Sequence, residues 1–334
     1  MRSILYVGES AFTELRDEWD ELAGRAMTNT PFQAWAYQRA WWEHLKPAGS
    51  RLVTIATRKD EGELVGVACL FALDQTLHFN GCIEETDYLD LITPPDLAVE
   101  VWQATLNCLE ATDAVSWRAL DLCNIPEQSP TRTILSAIAE KKSYSFEENL
   151  IEVCPIIQLP EAFDAYLESL DSKQRRELSR KLRRAEAAEV TTTIINQSDN
   201  IENEVDSFLE LLQKSTFEKR DWLNDGRRAM FHDVARAMQD RGALQLMFTA
   251  VEGRRAAALF NFDYNDRIWV YNSGLDPTAF AALSPGVILT TTAIEEAIKL
   301  GRGEFDFLRG DEEYKYRFGA VDTKIFRCRV ERPA

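Results

Sequence analysis

The sequence has few of the residues that hold metals or form disulfide frameworks. Its 334 residues include six cysteines and three histidines. The cysteines form no C-x-x-C pair and the histidines are scattered, so we predict no metal centre and no Ser/His/Asp nucleophile. Buried free thiols are expected rather than disulfides or metal ligands. The six positions are Cys69, Cys82, Cys108, Cys123, Cys154 and Cys328.

Long apolar runs are also missing. No stretch approaches the roughly 20 residues that a membrane span needs. Residues 1–9 lack the apolar region of a signal peptide and have the pattern of a first strand. Hydrophobic residues make up 45 % and charged residues 28 % of the chain, which is typical of a soluble globular protein. We therefore expect a cytoplasmic protein without a membrane span.

Positive charge is scarce, and scarcest in the first half. The net charge is −17, and residues 1–150 carry 12 Lys and Arg against 24 Asp and Glu. An acidic surface repels nucleic-acid phosphates, so a nucleic-acid partner is disfavoured. One basic segment, 173–184, runs against this trend with seven cations. Its usual meaning is a solvated helix face. The alternative is a site for a phosphate-rich ligand, in which Arg176 lies on the exposed side.

Helical and strand patterns alternate along the chain and predict the α/β (α+β) class. Each half runs helix, helix, antiparallel strands, helix, strand, helix or loop, strand, which indicates a weak internal duplication. We predict two packed domains, 1–158 and 159–334, with a boundary near Pro155–Pro160. The second domain carries a helical insertion at 200–241.

The most informative stretch is 284–318. It opens with Ser284, Pro285, Gly286 and Val287, where Ser284 suits a helix N-cap and Pro285 the first helical position. Gly286 lets a ligand approach the backbone. Free N–H groups at such a junction favour anions, so this turn is a candidate pyrophosphate site; the alternative is a capped helix that binds nothing.

Polar residues near two strand ends are further candidates. In strand 267–274, alternation places Trp269, Tyr271 and Ser273 on one face and Asn272 on the other. Asp306 interrupts the apolar strand 304–308, as either a paired structural carboxylate or a group facing a cleft.

The polar and aromatic cluster 311–318 follows directly. Helical spacing places Asp311, Tyr314 and Lys315 on one side. Lys315 and Arg317 suit an anionic group of a substrate; a surface ion pair is the alternative.

Several of these segments occur in the order of a known family. They are Ala257-Ala258, Tyr271–Gly274, Ser284–Gly286 and Phe305–Lys315. Over residues 165–320 the chain resembles the GNAT-type acyltransferases of the CelD-like group, described as acetyltransferases involved in cellulose biosynthesis. These are similar to the Fem-type peptidyltransferases, which have two tandem GNAT-like domains. The resemblance implies tandem GNAT-like domains, each with a mixed, largely antiparallel sheet flanked by helices.

The resemblance also implies roles for the candidate residues. An acyl-CoA, such as acetyl-CoA, is the expected co-substrate, bound through its pyrophosphate at Ser284–Val287. The expected acceptor is an amine or hydroxyl of a small molecule, or of a glycan or peptide related to the cell envelope or to polysaccharide. It is expected over the ends of strands 267–274 and 304–308, with Asn272 and Ser273 as binding residues. GNAT chemistry is direct attack without a covalent enzyme intermediate. Asp311 or Asp306 is the candidate base, and Tyr271 or Tyr314 the proton donor.

The lysine that matches Lys315 in the Fem-type relatives contacts substrate phosphate, so Lys315 and Arg317 are expected to hold the acceptor. Two alternatives stay open. One is aminoacyl transfer from charged tRNA, as in the Fem-type relatives. The other is a non-catalytic binding protein, because the phosphate-loop pattern has one glycine and no Arg or Gln at its start.

Overall fold

A computed structural model describes residues 1–82, 85–196 and 199–333. Its strands, in chain order, are β1 (Arg2–Val7), β2 (Arg51–Arg58), β3 (Leu64–Leu73), β4 (Thr76–Phe79), β5 (Ala119–Pro126), β6 (Ser145–Gln158), β7 (Thr191–Ile194), β8 (Leu244–Val251), β9 (Arg254–Tyr264), β10 (Arg267–Leu275), β11 (Glu304–Asp306) and β12 (Val321–Glu331).

The α-helices fall between these strands, as the alternating patterns predict. They are α1 (Ser10–Glu14), α2 (Arg16–Gly24), α3 (Trp35–Leu45), α4 (Ala98–Glu110), α5 (Thr131–Lys142), α6 (Phe163–Ser169), α7 (Ser172–Ala187), α8 (Ile201–Ser215), α9 (Phe217–Trp222), α10 (Asp225–Asp240), α11 (Pro285–Lys299) and α12 (Glu313–Tyr316). None of the described helices is long and apolar enough to cross a membrane.

The chain forms two units, one of residues 1–153 and 323–334 and the other of residues 154–322. The first boundary lies close to the predicted one at 158. The last strand differs from the prediction, which placed it in the second domain. Its residues belong to the first unit because β12 pairs antiparallel with β5, from Ile325↔Pro126 to Glu331↔Ala119.

In the first unit the strand order is β1-β2-β3-β4-β5-β12. The pairs are antiparallel except β4 with β5, which is parallel. Residues 87–92 form no strand, and a single bridge joins Val67 and Ile92. Large side chains such as Trp19, Trp41 and Trp102 are fully buried and fill the core.

The cysteines only partly follow the expectation. Cys82 and Cys123 form a disulfide with their Cα atoms 5.7 Å apart, so the prediction of free thiols is wrong at these two positions. The reason is tertiary, since these residues are 41 positions apart and the fold brings them together. Cys69, Cys154 and Cys328 are buried free thiols, as predicted. Burial raises the pKa of the Cys69 thiol to about 12, which makes it unreactive at neutral pH.

The second unit repeats the plan of the first. Its order is β6-β11-β10-β9-β8-β7, and β10 with β11 is its parallel pair. Each unit therefore contains five strands that are consecutive in the chain, β1 to β5 in the first and β7 to β11 in the second. In both units the fourth and fifth of these strands form the parallel pair. The sheet is mixed and largely antiparallel, and helices cover it, as predicted.

The two faces of the second sheet are packed by different helices. On one face α11 packs against β8, β9 and β10 around a core that includes Tyr166, Leu178 and Phe318. On the other, α8 and α10 bring Phe208 and Phe231 against Phe260, with ring centroids 5.3 to 5.5 Å apart. The predicted helical insertion at 200–241 starts with two helices, α8 and α9. Thr216 separates them because it is extended and its hydroxyl accepts a hydrogen bond from Lys219 N, which starts α9.

Candidate functional site

A cavity of about 450 Å³ lies in the second unit beside the end of β10. Strands β9 and β10 form its floor, the start of α11 forms one wall, and α7 and α12 form the others. Apolar groups such as Leu178, Leu289 and Phe307 make up most of its surface. This volume is typical of small-molecule sites.

The cavity exists because β10 and β11 diverge. Their parallel pairing runs from Arg267↔Glu304 to Trp269↔Asp306. β11 ends there, whereas β10 continues to Leu275. Just beyond this point, between Val270 and Asn272, a β-bulge interrupts the pairing of β10 with β9 on its other side. The end of β10 is therefore an edge that faces a cleft, which is a common position for binding sites.

The bulge also changes which side chains reach the cavity. It interrupts the simple alternation that predicted Tyr271 and Ser273 on one face. Ser273 lines the cavity together with Val270. The ring of Tyr271 packs instead among Phe231, Phe260 and Phe262, at centroid distances of 5.0 to 5.8 Å. Tyr271 is therefore a poor candidate for the proton donor.

The start of α11 forms a wall of the cavity, with Ser284–Val287 lining it. Ser284 occupies the N-cap position and Pro285 the first helical position, as predicted, but Ser284 is left-handed at φ 54° and its hydroxyl makes no capping hydrogen bond. Its carbonyl accepts instead from Val287 N and Ile288 N. Among the described residues, Gly286 N–H has no acceptor. A Cβ added to Gly286 would find its nearest atom, Leu275 Cδ1, at 3.7 Å, so the space above this amide is open.

Thr290 extends this polar strip one turn along α11. It lines the cavity, is 7 % exposed, and its hydroxyl makes no hydrogen bond to any described residue. The neighbouring Thr291 and Thr292 donate to the carbonyls of Val287 and Ile288. A hydroxyl without a protein partner at a cavity wall favours a polar ligand group beside the helix start.

Charged side chains lie at the cavity wall. Lys181 pairs with Glu177 at 3.1 Å, and Arg317 pairs with Glu313 at 2.8 Å. Lys181, followed by Arg180 and Arg317, lowers the pKa of the Glu177 carboxyl. Exposed pairs of this kind contribute little stability, so the two cations can reorient towards an anionic ligand at small cost.

Tyr314 lines the cavity from α12, and its ring meets Phe307 edge-on at 6.0 Å. Burial of the hydroxyl, together with the charge of Glu312, raises the pKa of this phenol, although 42 % of the residue's surface is exposed. The phenol therefore stays protonated at neutral pH and can donate a hydrogen bond or a proton.

Asp306 is a structural carboxylate. It is 0 % exposed and does not line the cavity. Its oxygens accept from Arg267 Nη1 at 3.1 Å and from Leu308 N at 2.8 Å. A carboxylate held in this way has no path to a substrate proton, so the geometry opposes its predicted role as a base.

Lys315 is also structural. The residue is 2 % exposed. Its Nζ donates to three carbonyl oxygens, those of Leu308, Arg309 and Gly310, at 2.6 to 3.0 Å, and it also lies 2.9 Å from the Glu312 carboxylate. An ammonium has three donors, so none is left for a substrate anion. The geometry therefore contradicts the predicted substrate contact; Lys315 holds the loop that follows β11.

The other predicted residues divide between the cavity and its surroundings. Ser273, Ser284, Pro285, Gly286, Val287, Tyr314 and Arg317 line it. Asp311 and Arg176 are exposed and lie outside its lining, where Arg176 Nε donates to Ser172 O. Asn272 is also outside, and its amide oxygen accepts from Lys219 Nζ and Ser273 N.

Lys219 was missed by the sequence reasoning. It lies on α9 and reaches β10, where its Nζ is 2.7 Å from Ser273 O and 3.1 Å from Asn272 Oδ1. The local sequence, Glu218-Lys219-Arg220-Asp221, indicates an ordinary charged helix. Only the break between α8 and α9 aims this side chain inwards, and the cap residue Thr216 is the one signal for that break.

Comparisons with known proteins agree with this geometry. Residues 172–316 match the family described as acetyltransferase (GNAT) domain. No curated protein matches the chain. Among solved structures, FemX is similar with a TM-score of 0.69 at 14 % identity, over 98 % of this chain and 97 % of that chain.

Two further structures are similar over most of their length. L-PGS from Bacillus licheniformis has a TM-score of 0.56 at 11 % identity, over 84 % of each chain. A tandem GNAT protein from the clavulanic acid biosynthesis pathway has a TM-score of 0.50 at 12 % identity, over 100 % of each chain. The fold is thus tandem GNAT-like, as the sequence predicted. The GNAT domain match includes every residue that lines the cavity except Arg317 and Phe318, which follow α12.

Proposed function

We propose that the second unit is an acyltransferase that moves an acyl group from an acyl-CoA to an amine or hydroxyl acceptor. The observation that carries this proposal is the cavity at the divergence of β10 and β11, with the start of α11 as its polar wall. The match of residues 172–316 to the acetyltransferase (GNAT) domain supports it.

The residues present fit an acyl thioester with a phosphate-bearing arm. Gly286 N–H and the Thr290 hydroxyl are unpartnered donors beside a helix start, and Lys181 and Arg317 supply positive charge. These groups would hold the pyrophosphate. The apolar surface, including Leu289, would take the acyl group and the less polar part of the arm.

The chain's own groups would position the reactants and move protons. In direct transfer the acceptor attacks the thioester carbonyl, and the leaving thiolate needs a proton. Tyr314 is placed to supply it, because its phenol is protonated and lines the cavity. Ser273, on the cavity side of β10, would meet the acceptor. A CelD-like assignment and a cell-envelope acceptor rest on the sequence resemblance and belong to this proposal.

A second candidate is aminoacyl transfer from charged tRNA. The observation in its favour is α7, whose seven cations include the exposed Arg176, Arg180 and Arg183. The net charge of −17 opposes it, because most of the surface would repel a polyanion.

Thiol release tests the leading proposal. The protein is incubated with acetyl-CoA or longer acyl-CoAs and a panel of amines and alcohols, and free thiol is followed. Binding of each donor is measured separately by calorimetry. We expect Gly286→Val to weaken donor binding at least tenfold, since its side chain would fill the space beside the free amide. Gly24→Val is the matched control, because a Cβ at Gly24 meets no atom within 4 Å and Gly24 does not line the cavity. Absence of thioester binding by the unmodified protein would exclude the CoA-dependent reaction.

A further inference from the structure

Strand β10 has a polar edge that α8 and α9 cover. Leu275 N donates to Ser215 Oγ at 2.7 Å, and Ser273 O accepts from Lys219 Nζ at 2.7 Å. Gly274 permits this close approach, since a Cβ there would lie 2.7 Å from Leu212 N. The end of α8 and the start of α9 are therefore fixed against the part of β10 that lines the cavity.

Lys219 meets only neutral partners at this edge. Its Nζ lies 3.1 Å from Asn272 Oδ1, 2.7 Å from Ser273 O and 3.4 Å from Ser273 Oγ. Among the described residues no carboxylate is within ion-pair distance of this amine. Lys315 differs, because it is paired with Glu312 at 2.9 Å. Among the described residues, Lys219 thus has neutral hydrogen-bond acceptors but no direct ion-pair partner.

The charge state of Lys219 follows from this environment. Burial lowers the pKa of its ammonium to about 8; the carboxylate of Glu312 opposes the shift, and Lys315 adds to it. Roughly a tenth of the molecules therefore carry a neutral Lys219 amine at pH 7, and half do at pH 8. An amine in this range is suited to accept a proton under physiological conditions.

We propose that Ser273 and Lys219 form a proton relay that deprotonates the acceptor, a role that rests on the acyltransferase function proposed above. Ser273 touches the cavity, and its Oγ is the group of this pair that can reach an acceptor. Lys219 lies behind it and acts through it. Asn272 Oδ1 and Ser273 O both accept hydrogen bonds from Lys219 Nζ, and these two contacts fix the position of the amine.

Ser273, Lys219 and Tyr314 account for every proton that moves during the transfer. As the acceptor nitrogen or oxygen bonds to the thioester carbonyl carbon, its proton passes to Ser273 Oγ, and the Ser273 hydroxyl proton passes to the neutral Lys219 amine. The C–S bond then breaks, and the departing thiolate takes the proton of Tyr314. Lys219 ends as an ammonium and Tyr314 as a phenolate, and solvent exchange resets both. Ser273 is never acylated, so direct transfer is preserved.

The test compares Lys219→Met, Lys219→Arg and Ser273→Ala in kcat against pH, with a hydroxyl acceptor that does not titrate in the range. For the unmodified protein we expect kcat to rise with pH and to level off above about pH 8. In each of the three variants kcat should fall roughly 10²- to 10⁴-fold and should no longer rise with pH in this range, with donor affinity unchanged. Ser273→Thr, which keeps a hydroxyl, should retain part of the activity.

Lys219→Arg separates the relay from a structural role. Arginine keeps the positive charge and the donors to Ser273 O and Asn272 Oδ1, but its guanidinium does not release a proton in this range. If Lys219 had only a structural role, Lys219→Arg would keep the activity, and that result would overturn the relay. The control Lys214→Met removes an exposed cation of the preceding helix and should leave the pH profile unchanged.

A direct titration keeps the relay testable if no acyl transfer is found. Competitive labelling of lysines with acetic anhydride, read by peptide mass spectrometry across pH 6 to 11, gives the pKa of Lys219 in the unmodified protein. A value near 8 supports the relay, and a value near 10.5 overturns it whatever the donor is. Failure of thioester binding, by contrast, would reject the proposed function and leave this value unaffected.

Discussion

Two lysines show how residue type alone leaves a role undecided. Lys315 stands in the conspicuous cluster 311–318, and its sequence neighbours predict a substrate contact. Lys219 stands in an unremarkable charged helix. In the structure the Lys315 ammonium donates hydrogen bonds to three backbone carbonyls, whereas Lys219 contacts Ser273, which lines the cavity. What distinguishes them is the set of acceptors around each amine.

Removing Lys315 should therefore cost stability. Lys315→Met would leave the carbonyl oxygens of Leu308, Arg309 and Gly310 without this donor, and each buried unpaired group costs about 1–3 kcal/mol. We expect the free energy of unfolding, measured in urea, to fall by about 3 kcal/mol or more. Lys214→Met is the matched control and should change it little. Unchanged stability with lost acceptor binding would restore the predicted substrate role.

Tyr314 carries a prediction about chemistry instead. Tyr314→Phe removes one hydroxyl from the cavity wall and keeps the ring against Phe307. We expect kcat to fall roughly 10²-fold or more with donor affinity unchanged, because the thiolate loses its proton source. Tyr316→Phe is the control: its hydroxyl donates to Asp322, outside the cavity lining. Equal effects of the two changes would contradict the assignment of Tyr314.

At the scale of elements, the site depends on where β10 stops pairing with β11 and on how closely α8 approaches it. Alternation along 267–274 predicted the strand well but not its bulge, because an extra residue in one strand depends on the partner strand. The helical insertion was also predicted, but not its break at Thr216. Both irregularities decide which side chains face the cavity.

Gly274 tests the contact between α8 and β10. A Cβ at Gly274 would lie 2.7 to 2.8 Å from backbone atoms of Leu211 and Leu212, which cannot move aside as a flexible side chain can. We expect Gly274→Ala to lower the free energy of unfolding by about 1–3 kcal/mol. Thermal unfolding measures this effect. Gly286→Ala is the control and should leave the melting temperature almost unchanged, because the atom nearest to its added Cβ is 3.7 Å away. Equal melting temperatures would show that α8 is not seated on this strand.

At the scale of the whole molecule, the negative net charge predicts weak binding of polyanions such as tRNA. The chain has a net charge of −17, and α7, with seven Lys and Arg residues, is its basic segment. We expect tRNA to bind no more tightly than about 10⁻⁵ M at physiological salt, in the range of non-specific binding. Filter binding at several salt concentrations measures this. Tight binding with a steep salt dependence, lost in Arg176→Glu with Arg180→Glu, would favour the tRNA-dependent candidate over the CoA-dependent one.

The sequence by itself determined the fold class, the duplicated order of elements, and the segments from which a site would be built. Periodicity and turn residues act locally, so α11, β10 and the Ser284–Val287 turn could be located from neighbouring residues. Only the tertiary structure decided which polar groups in those segments are free. Asp306 and Lys315 are satisfied by partners that the fold supplies, whereas Gly286, Thr290 and Ser273 line the cavity and Lys219 lies behind Ser273. Hydrogen-bond acceptors and desolvation are set by residues distant in the chain, and for that reason the chemistry of this site could not be assigned from sequence spacing.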